Sequence, residues 1–257
     1  MPDPLSIKPI GLPLIELQSI DSTNNYARLQ IHAGLAQHGT VYFTHEQTAG
    51  KGQRGKVWNS EKGLNIMMSI VIDPGSIALS RQFQLSACVA VSVFQFFREY
   101  AGDETKIKWP NDLYWQDRKA GGILIENIIR VVEAGQANWD RSIVGIGINI
   151  NQTQFPVFLS NPVSLKQITG KTFDVIESTK RLCGILNSNF NKLTEGRFED
   201  LYQEYLKHLY KKDQKAVFRK DSRVFEATVR SVTKNGKLVI DHAFEEELDF
   251  GELEWVQ

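Results

Sequence analysis

Four short segments concentrate the side chains that could do chemistry. The first, Gly50-Lys-Gly-Gln-Arg-Gly-Lys56, sets three glycines among Lys51, Arg54 and Lys56. Glycine lets backbone N–H groups approach an anion closely, and the cations add charged donors, so this composition suits a loop that wraps phosphates. Gly50, Gly55 and Lys56 fit G-x-x-x-x-G-K, but Val57 has no hydroxyl for Mg²⁺ and a strand is predicted where a P-loop would open a helix. The segment is therefore not a P-loop. Its plainer alternative is a solvated basic loop.

The second segment is Lys106-Ile-Lys-Trp-Pro-Asn-Asp112, followed by Asp117-Arg-Lys-Ala-Gly-Gly-Ile-Leu-Ile-Glu126. Pro110 and Asn111 break a strand and a hairpin returns through Lys119, which brings Asn111, Asp112 and Lys119 near one another. A lysine at a glycine-lined strand start can meet a carboxylate or a phosphate; read structurally, the same residues are a solvated turn beside a core tryptophan, Trp109. The third segment, Gly145-Ile-Gly-Ile-Asn-Ile-Asn151, clears one face of a strand with alternating glycines, and Asn149 offers amide donors and an acceptor. It departs from G-x-G-x-x-G at Ile150, so it does not support a dinucleotide fold. The fourth, Asp21-Ser-Thr-Asn-Asn25, presents hydroxyls and free N–H groups at a helix start, where an ordinary cap is the plain reading.

The elements that must hold these segments follow from periodicity. Leu14 to Gln18 alternates as a strand, a helix runs from Thr23 to a stop at Gly34, and Val41 to Thr44 and Leu64 to Ile72 are strands on either side of a long polar loop. Phe83, Ala87, Val91, Phe94 and Phe97 recur at helical spacing between Ser80, read as the N-cap, and Gly102. Lys106 to Trp109, Leu113 to Trp115, Gly122 to Val132 and Ser142 to Ile150 read as strands joined by turns, the last turn being Gly135-Gln-Ala-Asn138. Two helices follow, over Asp174 to Leu193 and Phe198 to Leu209. From Lys215 short strands return at Val217-Phe218, Val224 to Val232, Lys237 to Asp241 and Glu247 to Trp255, with Asn235-Gly236 as a hairpin turn. These predict an α+β domain over 1–212 with a mostly antiparallel sheet, and a small β-barrel over 213–257.

Composition narrows the function classes. The chain has 257 residues, 42% hydrophobic, which suffices for a sizeable core. Its 30 basic and 30 acidic residues cancel, which argues against a general polyanion binder. Cys88 and Cys183 both sit in apolar helical stretches, so buried free thiols and a reducing cytoplasm are expected, and no window is apolar enough to cross a bilayer.

Taken together, Ser22-Thr-Asn24, Gly50-Lys-Gly-Gln-Arg-Gly55, Lys108-Trp-Pro-Asn-Asp112, Lys119-Ala-Gly-Gly-Ile-Leu124 and Gly145-Ile-Gly-Ile-Asn-Ile-Asn151 resemble, in order and spacing, the biotin protein ligase family. Its hallmarks look like S-T-N, G-R-G-R-x-G, K-W-P-N-D, K-x-x-G-I-L and G-x-G-I-N-x-N. The resemblance runs from about residue 14 to the C-terminus. It implies an α+β fold related to class II aminoacyl-tRNA synthetases, followed by an SH3-like barrel. Lys51 and Gln53 depart from the pattern, standing where two arginines are common. The 21 residues ahead of Ser22 are too few for the winged helix-turn-helix of bifunctional members, so a ligase without sequence-specific DNA binding is expected.

The resemblance implies two steps: biotin carboxylate attacks the α-phosphate of ATP to form biotinyl-5'-AMP and release pyrophosphate, and a lysine amine of a biotin carboxyl carrier protein or domain then attacks the adenylate, taking the biotinyl group and releasing AMP. Lys119, Arg54 and Asp112 become the catalytic candidates. Ser22, Thr23, Asn24, Gln47, Lys51, Gly52, Gln53, Lys119, Gly122 and Leu124 become candidates for biotin, and Gly50, Lys51, Arg54, Lys56, Trp58, Asn111 and Asn149 for ATP. Mg²⁺ would bridge the phosphates, with its protein ligands unassigned. A lipoate or octanoate ligase of the same superfamily is the nearest rival, and a basic-aromatic nucleic-acid module the rival of another class. Whether the sheet pairs across a homodimer stays open.

Overall fold

The computed structural model describes residues 8–131 and 137–256. Seven strands, β1 (Leu14–Leu17), β2 (Val41–Thr44), β3 (Ile66–Ile72), β4 (Thr105–Lys108), β5 (Asp112–Trp115), β6 (Arg118–Val131) and β7 (Ala137–Ile148), form one sheet in the order β1-β2-β3-β7-β6-β5-β4. β1 and β2 run parallel; the other neighbours are antiparallel. All of β3 is buried, which is why it reads as an apolar run, interrupted only by Ser69, rather than an alternation.

The two faces of this sheet have different fates. Ile66, Met68, Ile70 and Ile72 of β3, with Val144, Ile146 and Ile148 of β7, join the main core beneath α2 (Gln82–Ala101), α4 (Val175–Thr194) and α5 (Phe198–Lys207). The predicted stripe of α2, Phe83, Ala87, Val91, Phe94 and Phe97, is buried throughout, each phenylalanine contributing about 1.5–3 kcal/mol. On the opposite face α1 (Thr23–His32) lays Ala27 and Ile31 over Tyr42, Val71 and Ile143. That short helix covers part of the face and leaves the remainder as a cleft.

Some boundaries differ from the sequence reading. Ser80 is not the cap of α2: it lies in a 3₁₀ turn over Leu79–Arg81, and Arg81 occupies the N-cap position without a side-chain cap bond. The turn closes through Arg81 N–H to Ala78 O at 2.8 Å, so backbone rather than a hydroxyl leads into the helix. A short helix, α3 (Leu165–Thr169), was not anticipated. Its signal was present in Ser164 and Gln167, which form a reciprocal capping box with both bonds at 3.2 Å. Of the expected turn at 135–138, Gly135 and Gln136 lie outside the described residues.

The C-terminal strands β8 (Lys215–Lys220), β9 (Arg223–Val232), β10 (Leu238–Asp241), β11 (Glu245–Leu248) and β12 (Glu254–Val256) form an antiparallel sheet in the order β11-β10-β9-β8-β12. The run Glu247 to Trp255, read as one strand, is two. A turn closed by Glu252 N–H to Asp249 O, with Gly251 at φ +98, sends β12 across to pair with β8. Trp109 ties the sheets together: its indole N–H donates to Gly236 O at 2.8 Å, and the Trp255 indole N–H donates to Trp109 O at 3.1 Å. Cys88 and Cys183 are free, and burial pushes both thiols up to about 12. Among the described residues no helix is long and apolar enough to cross a membrane.

Candidate active site

The site's floor is built from missing side chains. Register pairs Gly122 with Gly147, and Leu124 and Ser69 each with Gly145, so alternation brings Gly122, Leu124, Glu126, Gly145, Gly147 and Ser69 to the face that α1 partly covers. A Cβ at Gly147 would stand 2.5 Å from the Trp58 indole, and one at Gly145 would stand 2.3 Å from Asn24 Oδ1. These glycines let the tryptophan and the asparagine settle directly onto the sheet.

One end of the resulting cleft is a dense polar cluster at the start of α1. The Gln47 carbonyl oxygen accepts the Thr23 backbone N–H at 2.9 Å and lies 3.2 Å from the Thr23 hydroxyl. Ser69 Oγ lies 2.7 Å from Thr23 Oγ1 and 2.6 Å from Asn24 Oδ1, while the Asn24 amide donates to Glu126 at 2.7 Å. Ser22, Thr23, Asn24 and Ser69 are buried. Ser69, Glu126 and the Glu126 partner Arg28 were not singled out from sequence. The available signal was period two on β6, since Glu126 follows Gly122 and Leu124 on one face.

The other end is charged. Lys119 Nζ and Asp112 Oδ1 are 2.6 Å apart, both partly exposed. Asn111 donates to Ile123 O at 2.6 Å, fastening the Pro110 turn to β6. Behind the pair, Lys108 is 6% exposed, donates to the Tyr114 hydroxyl at 3.0 Å and lies within 5.4 Å of the Tyr114, Tyr210 and Trp255 ring centres. Desolvation pushes the Lys108 ammonium from its ordinary 10.5 down to about 8. Between those values the unfolded chain holds a proton that the native chain has released, so this residue makes stability rise with pH across that window. Urea unfolding at pH 8 to 10 should therefore show the wild type gaining stability relative to Lys108→Met, by about 1–2 kcal/mol. A constant difference would mean that the ammonium is not desolvated.

The glycine loop covers the cleft. Ser22, Thr23, Asn24, Gln47, Lys51, Gly52, Gln53, Trp58, Asn111, Asp112, Lys119, Gly122 and Leu124 all line it, so every residue expected to hold biotin is assembled there. With the Trp58 ring against Gly147 and Gly122, the remaining volume is about 60 Å³, far below the roughly 300–1,000 Å³ of ligand pockets. The Trp58 indole nitrogen is buried with no hydrogen-bond partner among the described residues. Four of the expected ATP residues do not line the cleft. Arg54, in the left-handed region at φ +54, turns away to donate to Gly251 O at 3.3 Å and stacks over Phe250. Lys56 is exposed. Gly50 accepts the Trp58 backbone N–H, and Asn149, buried, holds Val163 O at 3.1 Å.

A polar pocket and an ion pair thus face each other across a glycine floor. The pattern of the Biotin/lipoate A/B protein ligase family matches residues 16–149, just over half of the chain. The chain belongs to this family. It is 34% identical over 210 residues to the bifunctional ligase/repressor BirA of Bacillus subtilis (strain 168), which covers 79% of this chain and 58% of that one. It is also 34% identical over 137 residues to the biotin–[acetyl-CoA-carboxylase] ligase of Paracoccus denitrificans, covering 52% of this chain and 53% of that. The chain thus spans little more than half the length of these curated relatives. Among solved structures, the biotin protein ligase from Aquifex aeolicus in complex with biotin and ATP superposes with a TM-score of 0.78 at 26% identity, over 95% of this chain and 98% of that one. This ligase-family chain therefore has the biotin ligase fold, an α+β sheet domain followed by an SH3-like β-domain.

Proposed function

We propose that this chain activates biotin with ATP to biotinyl-5'-AMP, releasing pyrophosphate, and transfers the biotinyl group to a lysine of a biotin carboxyl carrier protein or domain, releasing AMP. The observation that carries this reading is the cleft itself: donors and acceptors suited to a cyclic urea at one end, and the Lys119–Asp112 pair at the other. Likeness to a ligase solved with biotin and ATP supports it.

The first step brings two anions together. Unit charges about 4 Å apart repel by roughly 1 kcal/mol in water and by roughly 4 kcal/mol at an effective dielectric of 20, so a covered site must supply a cation. Lys119 holds the carboxylate against the α-phosphate. Once Lys119 turns to the substrates, Asp112 loses its partner and can orient or deprotonate the acceptor amine. Lys51 and, after release from Gly251, Arg54 contact phosphate, with Lys56 at the outer end, while Gly50 shapes the loop. Trp58 leaves the floor to cover the adenine and Asn111 positions ATP, while Asn149, its amide on Val163 O and Lys119 O, fixes the backbone that carries Lys119. Among the described residues no group of three His, Cys, Asp or Glu side chains could cage a metal. Mg²⁺ would enter as the counter-ion of ATP, offsetting charge on its phosphates, with its protein ligands unassigned. Residues 1–212 form the catalytic unit and 213–257 the barrel, a division supported by the change from α5 to β8 between Lys207 and Lys215. The reducing environment suited to two free thiols supports action in the cytoplasm.

ATP–pyrophosphate exchange with biotin, lipoate and octanoate offered separately tests the reading. Exchange should depend on biotin; exchange with lipoate in its absence would overturn the assignment. Intrinsic fluorescence should change as biotin displaces the Trp58 indole, and Trp58→Phe should remove most of that change. A signal unaltered in the variant would place the moving tryptophan elsewhere. Balanced charge supports weak binding to duplex DNA, lost at moderate salt; retention at 200 mM salt in a filter assay would refute this.

A further inference from the structure

Glu126 touches no reacting group, yet it stands at the head of a directional chain of hydrogen bonds. Its Oε2 accepts the Asn24 amide at 2.7 Å and its Oε1 accepts Arg28 at 2.9 Å. An ionised carboxylate only accepts, so Asn24 must turn its nitrogen to Glu126 and its oxygen to Ser69. Ser69 is wholly buried and has one proton for two neighbours, Asn24 Oδ1 at 2.6 Å and Thr23 Oγ1 at 2.7 Å. Asn24 Oδ1 has no proton of its own, and Asn24 is 3% exposed, so the Ser69 proton goes there. The Ser69 oxygen is then free to accept from Thr23 at 2.7 Å, in preference to the 3.2 Å path from Thr23 to Gln47. Gln47 Oε1 already takes the Thr23 backbone N–H, which leaves its Nε2 donors for the cleft.

We propose that Glu126, acting through Asn24 and Ser69, sets the direction of this chain so that Thr23 Oγ1 presents only lone pairs to the ligand. Thr23 is then an obligate acceptor for a ureido N–H, with Gln47 as donor to the ligand. The pocket selects a cyclic urea over an isostere of the same shape that lacks that proton. Glu126 and Ser69 are positioning residues in this scheme, which rests on the biotin reading.

The experiment measures pyrophosphate exchange for biotin and for its two cyclic carbamate isosteres, each with oxygen in place of one ureido N–H. The wild type should favour biotin over one isostere by at least about tenfold in kcat/KM. In Glu126→Gln, whose amide can face either way, and in Ser69→Ala, which leaves the Thr23 proton to be divided between the longer 3.2 Å path to Gln47 and the ligand, that ratio should fall at least threefold, with the loss in KM for biotin and the KM for ATP unmoved. Arg28→Ala, which removes the ion pair and keeps the carboxylate, should leave the ratio within twofold of wild type. An unchanged ratio in Ser69→Ala or in Glu126→Gln, or an equal fall in Arg28→Ala, overturns the proposal. Should both positioning variants fail to fold, the wild type decides: equal use of biotin and both isosteres refutes it. Absence of biotin-dependent exchange in the wild type would remove the biotin reading and the relay together, an outcome visible before any variant is made.

Discussion

Replacing Lys119 by alanine is expected to slow adenylate formation by about 10²–10³-fold, the range seen when one electrostatic contact to developing charge is removed. Two changes add in one direction. The cation that offsets carboxylate–phosphate repulsion is lost, and Asp112, whose Oδ1 lies 2.6 Å from that ammonium, is left as an uncompensated anion beside the phosphate. ATP affinity should change little, because the interaction matters most as the two anions approach bonding distance. The fold should survive, since β6 is held here by backbone: Lys119 N–H donates to Asn161 O, and Lys119 O accepts from Val163 N–H. Single-turnover adenylation within about threefold of wild type, roughly 0.7 kcal/mol, would show that Lys119 is only a turn residue.

Gly145→Ala is expected to cost about 100-fold in kcat/KM for biotin, or about 2.7 kcal/mol. The added methyl would stand 2.3 Å from Asn24 Oδ1 and 3.1 Å from its Cγ. Relief requires Asn24 to move by roughly an ångström, and displacement on that scale is enough to cost two orders of magnitude. Asn24 cannot yield alone, because Ser69 and Glu126 grip its two ends and helix α1 carries it. The lost kcat/KM should reside in biotin, with ATP-dependent parameters nearly constant. Gly147→Ala offers a contrast, since its methyl meets the Trp58 ring at 2.5 Å and that ring sits on a loop. If Gly145→Ala retains biotin use within threefold, Asn24 does not define the pocket's polar wall.

Much of the site was legible in the chain. The polar start of α1, the glycine loop, the Asp112 hairpin and the alternating glycines of β7 are each local, so residue type and spacing suffice to find them. Their assembly was legible only through resemblance. Residues 22 and 145 are far apart in sequence, and no periodicity states that β3, β7 and β6 lie side by side. Ser69 illustrates the gap. Within a run of apolar residues it reads as a tolerated small polar residue, and its meaning appears only when the register sets it against Gly145, beneath Asn24.

What the sequence determined by itself is most of the elements, α3 and the division of the last strand excepted, and the chemistry available on them: helices from apolar spacing, strands from apolar runs and turn residues, a phosphate-suited loop, a lysine beside an aspartate. What the tertiary structure decided is direction. It sends Arg54 toward Gly251 and Phe250, Asn149 into the backbone of Val163, and the Trp58 ring onto the glycine floor. It also splits the last predicted strand so that β12 can reach β8. A sequence states which donors, acceptors and charges a chain carries. Which partner each one finds depends on competition among groups brought together by strand register and side-chain packing, and that competition is settled only in three dimensions.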